Sequence, residues 1–273
     1  MTFRTTQDFF CLPGSPYYIF IHLDYCDTSA GVRALYRLCH ALNVAGEEAY
    51  IVPAQQSHPD LRTPLLTADI LQHHQSTGRV PVAVYPNIFV ENPLQTPVVA
   101  RWLLARSESP EMDQAYAQGG DLLFHFDPWT ISRPELSSTL LRVPLVDPRV
   151  FNNEDNPNDW RRCGACYYAH KYLASGGKID EGLARNAISL CQDIPRSPTE
   201  IAAILRQSEV LFVYEQTALI QEAIRGGCPV AVIPTDYWER TSAVGFDWLL
   251  GSGFATEPDV SSRLKREMPE AQR

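Results

Sequence analysis

The chain has 273 residues, 45% apolar and 20% charged, with a formal net charge of −9 at pH 7. Such a balance suits a globular protein of two domains, each of about 100 to 150 residues. The negative charge argues against a general affinity for nucleic acid or an anionic membrane, and no run of about 20 apolar residues is present to cross a bilayer.

The first twenty residues lack the basic–apolar–small order of a signal peptide. The seven cysteines are scattered and odd in number, so free thiols in a reducing cytoplasm are expected. "YYIFIHL" (17–23) reads as a buried strand. "DTSAGVRALYRLCHALNVAG" follows as a helix, with Val32, Leu35, Leu38 and Leu42 at helical spacing, Ser29 as cap and Gly46 as stop. "AYIVP" (49–53), "VPVAVYP" (80–86) and "DLLFHF" (121–126) are the next strands. Prolines, asparagines and aspartates cluster from 142 to 164 and predict a linker.

Beyond it the alternation restarts. "SPTEIAAILRQS" (197–208) carries a capping box, Ser197 with Glu200, and Pro198 in its first turn. "VLFVY" (210–214) is a strand, "TALIQEAIRGG" a helix closed by glycine, and "PVAVI" (229–233) a further strand. The pattern predicts α/β architecture: two Rossmann-like domains facing across a cleft, 1–147 and 148–255, with a polar tail at 256–273. Ligands of such sheets bind beyond the carboxyl ends of the strands.

That rule directs attention to "YEQTALIQEAIRGGCPVAVIP" (214–234). A helix start at Thr217 and Ala218 offers unpaired N–H groups and a partial positive charge, suited to phosphate. Glu222, further along, is placed to accept hydrogen bonds from a ribose diol. The alternative makes Glu215 a solvated loop acid and Glu222 an exposed helix residue.

The segment resembles the donor-binding stretch of GT-B glycosyltransferases, the large group with retaining members. Its two acids, Glu215 and Glu222, have six residues between them where seven is usual. "VAVYPNIFVENPLQTPVVARWLL" is similar to a segment of many bacterial polysaccharide glycosyltransferases, with Asn87 in place of the usual glutamate and no glycine before Asn92. "SAGVRALYRLCHALNVAGEEAYIV" resembles the Gly-rich first loop and helix of the same group. The resemblance implies transfer of a sugar from a nucleoside diphosphate-sugar to a glycan, lipid-linked or protein acceptor. It implies donor contacts from Gly31, Arg162, Lys171, Tyr214, Glu215, Thr217, Ala218 and Glu222, and an acceptor side at Asp24, Tyr85, Asn87, Asn92 and Asp127.

Lys171 in "YYAHKY" resembles the lysine that neutralises the leaving diphosphate, with Arg161 or Arg162 assisting; a plain surface lysine is the alternative. Gly31 would let backbone approach the phosphates, or serve only as part of a helix cap. His125 and Asp127, and equally His22 and Asp24, are candidate groups for an acceptor hydroxyl, against a hydrogen-bonded core histidine. The catalytic set expected is therefore Lys171, Glu215 and His125. The family implies no metal or other cofactor. "CGAC" (163–166) with His170 has no second Cys/His pair at zinc spacing, with Cys191 the lone extra, so structural thiols are expected over a zinc or redox site. A silent partner subunit, or a sugar-nucleotide epimerase of the same fold, stays open, as do peripheral membrane contact and self-association.

Overall fold

Alternation along β1 (Tyr17–Phe20) sets the layering of the first half of the chain: Tyr17, Ile19 and Ile21 enter one core cluster, and Phe20 enters another on the opposite face. The structure, a computed structural model, describes residues 14–107, 109–118, 120–131, 136–154, 162–241, 252–255 and 266–267. It separates into two units, 1–145 and 146–273. Of the tail expected at 256–273, all but Arg266 and Glu267 lie outside the described residues.

In unit 1, β1 leads into α1 (Ala30–Val44), β2 (Ala49–Val52), α2 (Ala68–Ser76), β3 (Val82–Pro86), β4 (Val98–Leu103), α3 (Pro110–Gln118), β5 (Leu122–His125), a single 3-10 turn (Pro128–Thr130) and β6 (Thr139–Leu140). All the strands are parallel, in the order β2-β1-β3-β4-β5-β6. Ser29 caps α1 by accepting the Val32 N–H. Leu35, Leu38 and Cys39 of α1 join Ile19, Ile51, Val84 and Trp102 in the larger core. The sequence pattern did not single out α2, β4, α3 or β6: β4 buries Arg101 in mid-strand, and the buried residue of α2 is His74.

Unit 2 runs β7 (Ala165–Tyr168), α4 (His170–Ala174), α5 (Glu181–Asn186), β8 (Ala187–Ser189), α6 (Pro198–Gln207), β9 (Val210–Val213), α7 (Leu219–Arg225), β10 (Val230–Val232), α8 (Asp236–Thr241) and β11 (Ser252–Phe254). Its strands are likewise parallel, in the order β11-β10-β9-β7-β8. The capping box forms as the sequence predicts. Ser197 Oγ accepts the Glu200 N–H at 3.3 Å, and the Ser197 N–H donates to Glu200 Oε2 at 2.7 Å. Leu205 of α6 and Ile220, Ala223 and Ile224 of α7 pack on Leu211, Val213, Val230 and Val232. Each unit is thus a doubly wound, Rossmann-like α/β sheet, the class that the alternation predicts.

Candidate functional site

Both sheets share one winding rule. Numbered by appearance, each places its first strand between the second and the third, so the connections leave in opposite directions from the first and third strands. The crevice at the carboxyl ends of such a pair is where open α/β sheets take ligands. In unit 2 the pair is β7 and β9.

There β7 runs through Ala169 into α4, which presents His170, Lys171 and Tyr172. Beside it β9 is followed by Tyr214, Glu215 and Thr217. Glu215 is 2% exposed, and its Oε2 accepts the Tyr172 N–H at 2.7 Å. Its Oε1 is buried without a hydrogen-bond partner. Burial pushes the Glu215 carboxyl above its ordinary value. The Tyr172 backbone N–H, the Lys171 charge and backbone N–H, and the His170 charge pull the other way. The solvated loop acid is therefore excluded: Glu215 ties the turn after β9 to the start of α4, with exposed Lys171 on that same start.

The rest of this edge is aromatic. Tyr172 stacks on Tyr214 at 5.1 Å between centroids and meets Tyr237 edge-on at 6.2 Å. Tyr214 is buried in a cluster with Ala169 and Cys191, so it supports the edge from behind. Gln192 Nε2 donates to the Tyr168 hydroxyl at 3.3 Å; burial, and then the Glu215 charge, push that hydroxyl above its ordinary range. Thr217 Oγ1 accepts the Leu219 N–H at 3.3 Å, and Ala218 occupies the cap of α7 in helical conformation. Lys171, Glu215, Thr217 and Ala218 are thus brought to one edge. Tyr172 and Tyr168 were missed in sequence, although both lie within the quoted "YYAHKY".

Three expected donor residues are corrected. Arg162 lies just before β7, at the opposite end of the strand from Glu215. It donates to the carbonyls of Leu205 (2.8 Å), Ser208 (3.1 Å) and Gly226 (2.8 Å), and to Asn153 Oδ1 (2.8 Å). It closes the carboxyl ends of α6 and α7, where a cation also meets the favourable end of the helix dipoles. Gly227 makes room for it: φ there is +77°, and a Cβ would collide with the Arg162 guanidinium and Asn153. Glu222 is 3% exposed within α7, so it is no carboxylate at a cleft mouth. Gly31 lies inside the first turn of α1, not in the preceding loop, and an added Cβ would meet only Leu104 Cδ1 at 4.0 Å. Arg161 lies outside the described residues.

On unit 1 the expected acceptor side is largely occupied by the fold's own hydrogen bonds. The Tyr85 hydroxyl donates to Asn92 Oδ1 at 2.9 Å and accepts the Leu94 N–H at 3.0 Å. Asn92 Nδ2 donates to the Thr96 carbonyl at 2.8 Å. Asn87 Oδ1 accepts the N–H groups of Leu104 (3.1 Å) and Ala105 (3.3 Å), and its Nδ2 donates to the Ala105 carbonyl at 3.1 Å. These three residues shape the loop after β3. Asp24 Oδ1 accepts the backbone N–H groups of Gln55 (2.7 Å) and Gln56 (3.2 Å).

His125 is buried at the end of β5, with Nδ1 2.9 Å from Ser138 Oγ, and burial holds its imidazole below the ordinary value. Asp127 is buried and paired with Arg142. Both stand two strands beyond β3, away from the β1/β3 crevice. His22 is the imidazole at that crevice: it is exposed, with its ring 5.2 Å from Phe89.

In the Cys-x-x-Cys stretch, Cys163 is exposed and Cys166 is buried, and both are free thiols. Among the described residues no three His, Cys, Asp or Glu side chains form a metal-holding group, and no helix is long and apolar enough to cross a membrane.

No family model and no curated protein matches the chain. Among solved structures, it is similar to the glycosyltransferase SnogD from Streptomyces nogalater: TM-score 0.47, 13% identity, over 94% of this chain and 96% of that one. It is similar to the glycosyltransferase VinC, solved in complex with DTDP: TM-score 0.48, 12% identity, over 94% and 90%. A third likeness is to a putative UDP-N-acetylglucosamine 2-epimerase from Listeria monocytogenes: TM-score 0.45, 11% identity, over 84% and 81%.

Proposed function

We propose that the protein is a GT-B glycosyltransferase that binds a nucleoside diphosphate-sugar at the β7/β9 edge of unit 2. The observation that carries this reading is the meeting of Lys171 and Glu215 at the carboxyl ends of the two strands from which the sheet winds apart. In sugar transfer the bond from the anomeric carbon to the diphosphate breaks, and a bond to the acceptor oxygen forms. The acceptor proton leaves with a base or with the departing phosphate. Charge gathers on the diphosphate, and an ammonium aimed at it lowers the barrier. Lys171 is exposed and takes that role. Glu215 is a positioning residue, because its oxygen already holds the Tyr172 N–H that fixes the start of α4. The turn at Thr217 and Ala218 lies beside the phosphates. A glycan, lipid-linked or protein hydroxyl accepts the sugar, and no other cofactor takes part.

The test screens melting against UDP, GDP, CDP, ADP and dTDP. A ligand at 100 times its dissociation constant adds about 2.7 kcal/mol of stability. Lys171→Ala is expected to melt like wild type while losing about tenfold or more in affinity for the ligand that stabilises, and in sugar transfer. Absence of binding across the panel at millimolar concentration, or unchanged transfer by Lys171→Ala, overturns the reading.

A further inference from the structure

One face of α1 carries Arg33, Arg37 and His40 at a spacing that stacks side chains along a helix. The segment after β2 folds along this helix. Asn43 Nδ2 donates to the Arg62 carbonyl at 3.1 Å, and the Arg62 N–H donates to His40 Nδ1 at 2.9 Å. The Tyr36 hydroxyl donates to the Gln56 carbonyl at 3.1 Å, and the Tyr25 ring meets the His58 ring edge-on at 4.2 Å. Arg37, Arg62, His40 and His58 are thereby gathered in one place, in a chain whose net charge is −9.

Both imidazoles are oriented. His40 Nδ1 accepts from Arg62, and His58 Nδ1 accepts the Asp60 N–H at 3.0 Å. Each neutral ring therefore keeps its proton on Nε2, as a donor. Burial, and then the charges of Arg37, Arg62 and His58, hold His40 below its ordinary value. Among the described residues no ion pair reaches Arg37 or Arg62. Asp24 Oδ1 accepts backbone N–H groups, Asp27 Oδ1 accepts the Tyr25 hydroxyl at 2.9 Å, and exposed Asp60 forms no ion pair among the described residues. Arg37 Nε is buried and has no hydrogen-bond partner among the described residues. A buried guanidinium nitrogen left unsatisfied is costly, and an anion removes that cost.

We propose that this face of unit 1 binds a phosphoryl group, held by the forks of Arg37 and Arg62 and by the Nε2–H donors of His40 and His58. A phosphoryl group fits better than a carboxylate. Its three terminal oxygens serve donors arriving from both α1 and the segment after β2, whereas two carboxylate oxygens would leave donors unmet. Its residues are other than those of the β7/β9 edge, and the proposal stands whether or not the protein transfers sugar.

Calorimetric titration with pyrophosphate at constant ionic strength tests it. Wild type is expected to bind, and Arg37→Gln and Arg62→Gln each to weaken binding about tenfold or more. The comparison is made in the Lys171→Ala background, which removes pyrophosphate held at the proposed donor edge, and Arg185→Gln, an exposed arginine of α5, serves as the charge control. Melting curves check that each variant is folded, and Arg37→Lys keeps the charge but not the fork. Co-sedimentation with phosphatidylcholine vesicles, with and without phosphatidic acid, identifies the source of the phosphoryl group. Sedimentation that depends on both phosphatidic acid and Arg37 assigns a lipid headgroup; pyrophosphate binding without sedimentation assigns a soluble ligand. Failure of both probes, or pyrophosphate binding indifferent to Arg37→Gln and Arg62→Gln, overturns the proposal.

Discussion

Glu215 is acidic, buried and only half satisfied, and this combination has a measurable pH signature. Burial raises its folded value above the 4.5 of an ordinary glutamate. Between those two values the folded chain holds a proton that the unfolded chain has released. The contribution to stability is therefore full below about pH 4.5 and declines as pH rises through the folded value. Glu215→Gln removes this decline while keeping an oxygen for the Tyr172 N–H. Relative to wild type, the variant is expected to gain stability as pH climbs from 4 to 8 in urea melts. Parallel curves would show that Glu215 ionises in the fold as it does in water. Glu215 follows a strand that the sequence shows, whereas Lys171 was singled out only by the resemblance of "YYAHKY". Arg162 was misread because a cation's role depends on which end of the sheet it occupies, and the strand that it precedes was not recognised. Tyr85, Asn87 and Asn92 were read as contacts, although their polar groups are spent on folding their own loop.

The loop after β3 shows what an element can do with one buried charge. Arg101, 2% exposed, donates from Nη1 to the carbonyls of Phe89 (2.7 Å) and Glu91 (2.8 Å), and from Nη2 to that of Val90 (2.9 Å). Its Nε donates to Asp121 Oδ2 at 2.8 Å. The guanidinium also sits 4.8 Å above the centre of the Tyr85 ring. Arg101→Met is expected to cost about 3 to 5 kcal/mol, because three carbonyls and a carboxylate lose their partner. Chemical denaturation measures this loss, and a loss below about 1 kcal/mol would mean that water replaces the guanidinium. The same arginine explains why β4 was hidden: a charge in the middle of an apolar run breaks the strand signal unless its partners are known. At α6 the opposite holds, since Ser197, Pro198 and Glu200 announce the helix locally. Ser197→Ala should cost about 1 kcal/mol, read as a shifted urea midpoint at unchanged slope.

On the scale of the whole molecule, the strand order was the part that periodicity could not supply. Alternation gives parallel sheets, but the neighbours of β1 and β7 follow from crossovers that no local pattern records. The two units have separate cores, and no strand of one pairs with a strand of the other among the described residues. Hydrogen exchange on Arg101→Met should therefore show faster exchange in β3 and β4, with β9 and β10 unchanged. Loss of protection throughout the chain would mean that the units unfold as one.

That separation also follows the sequence without interleaving: the first sheet takes its strands from residues 17–140 and the second from 165–254. A ribosome adds about 5 to 20 residues each second. Once residue 140 has cleared the exit tunnel, every strand of the first sheet is in hand, while much of the second is still being made. The first unit has seconds in which to close its core before Lys171 and Glu215 meet. The order of synthesis thus keeps the apolar strands of the two sheets apart in time, when mispairing between them would be easiest.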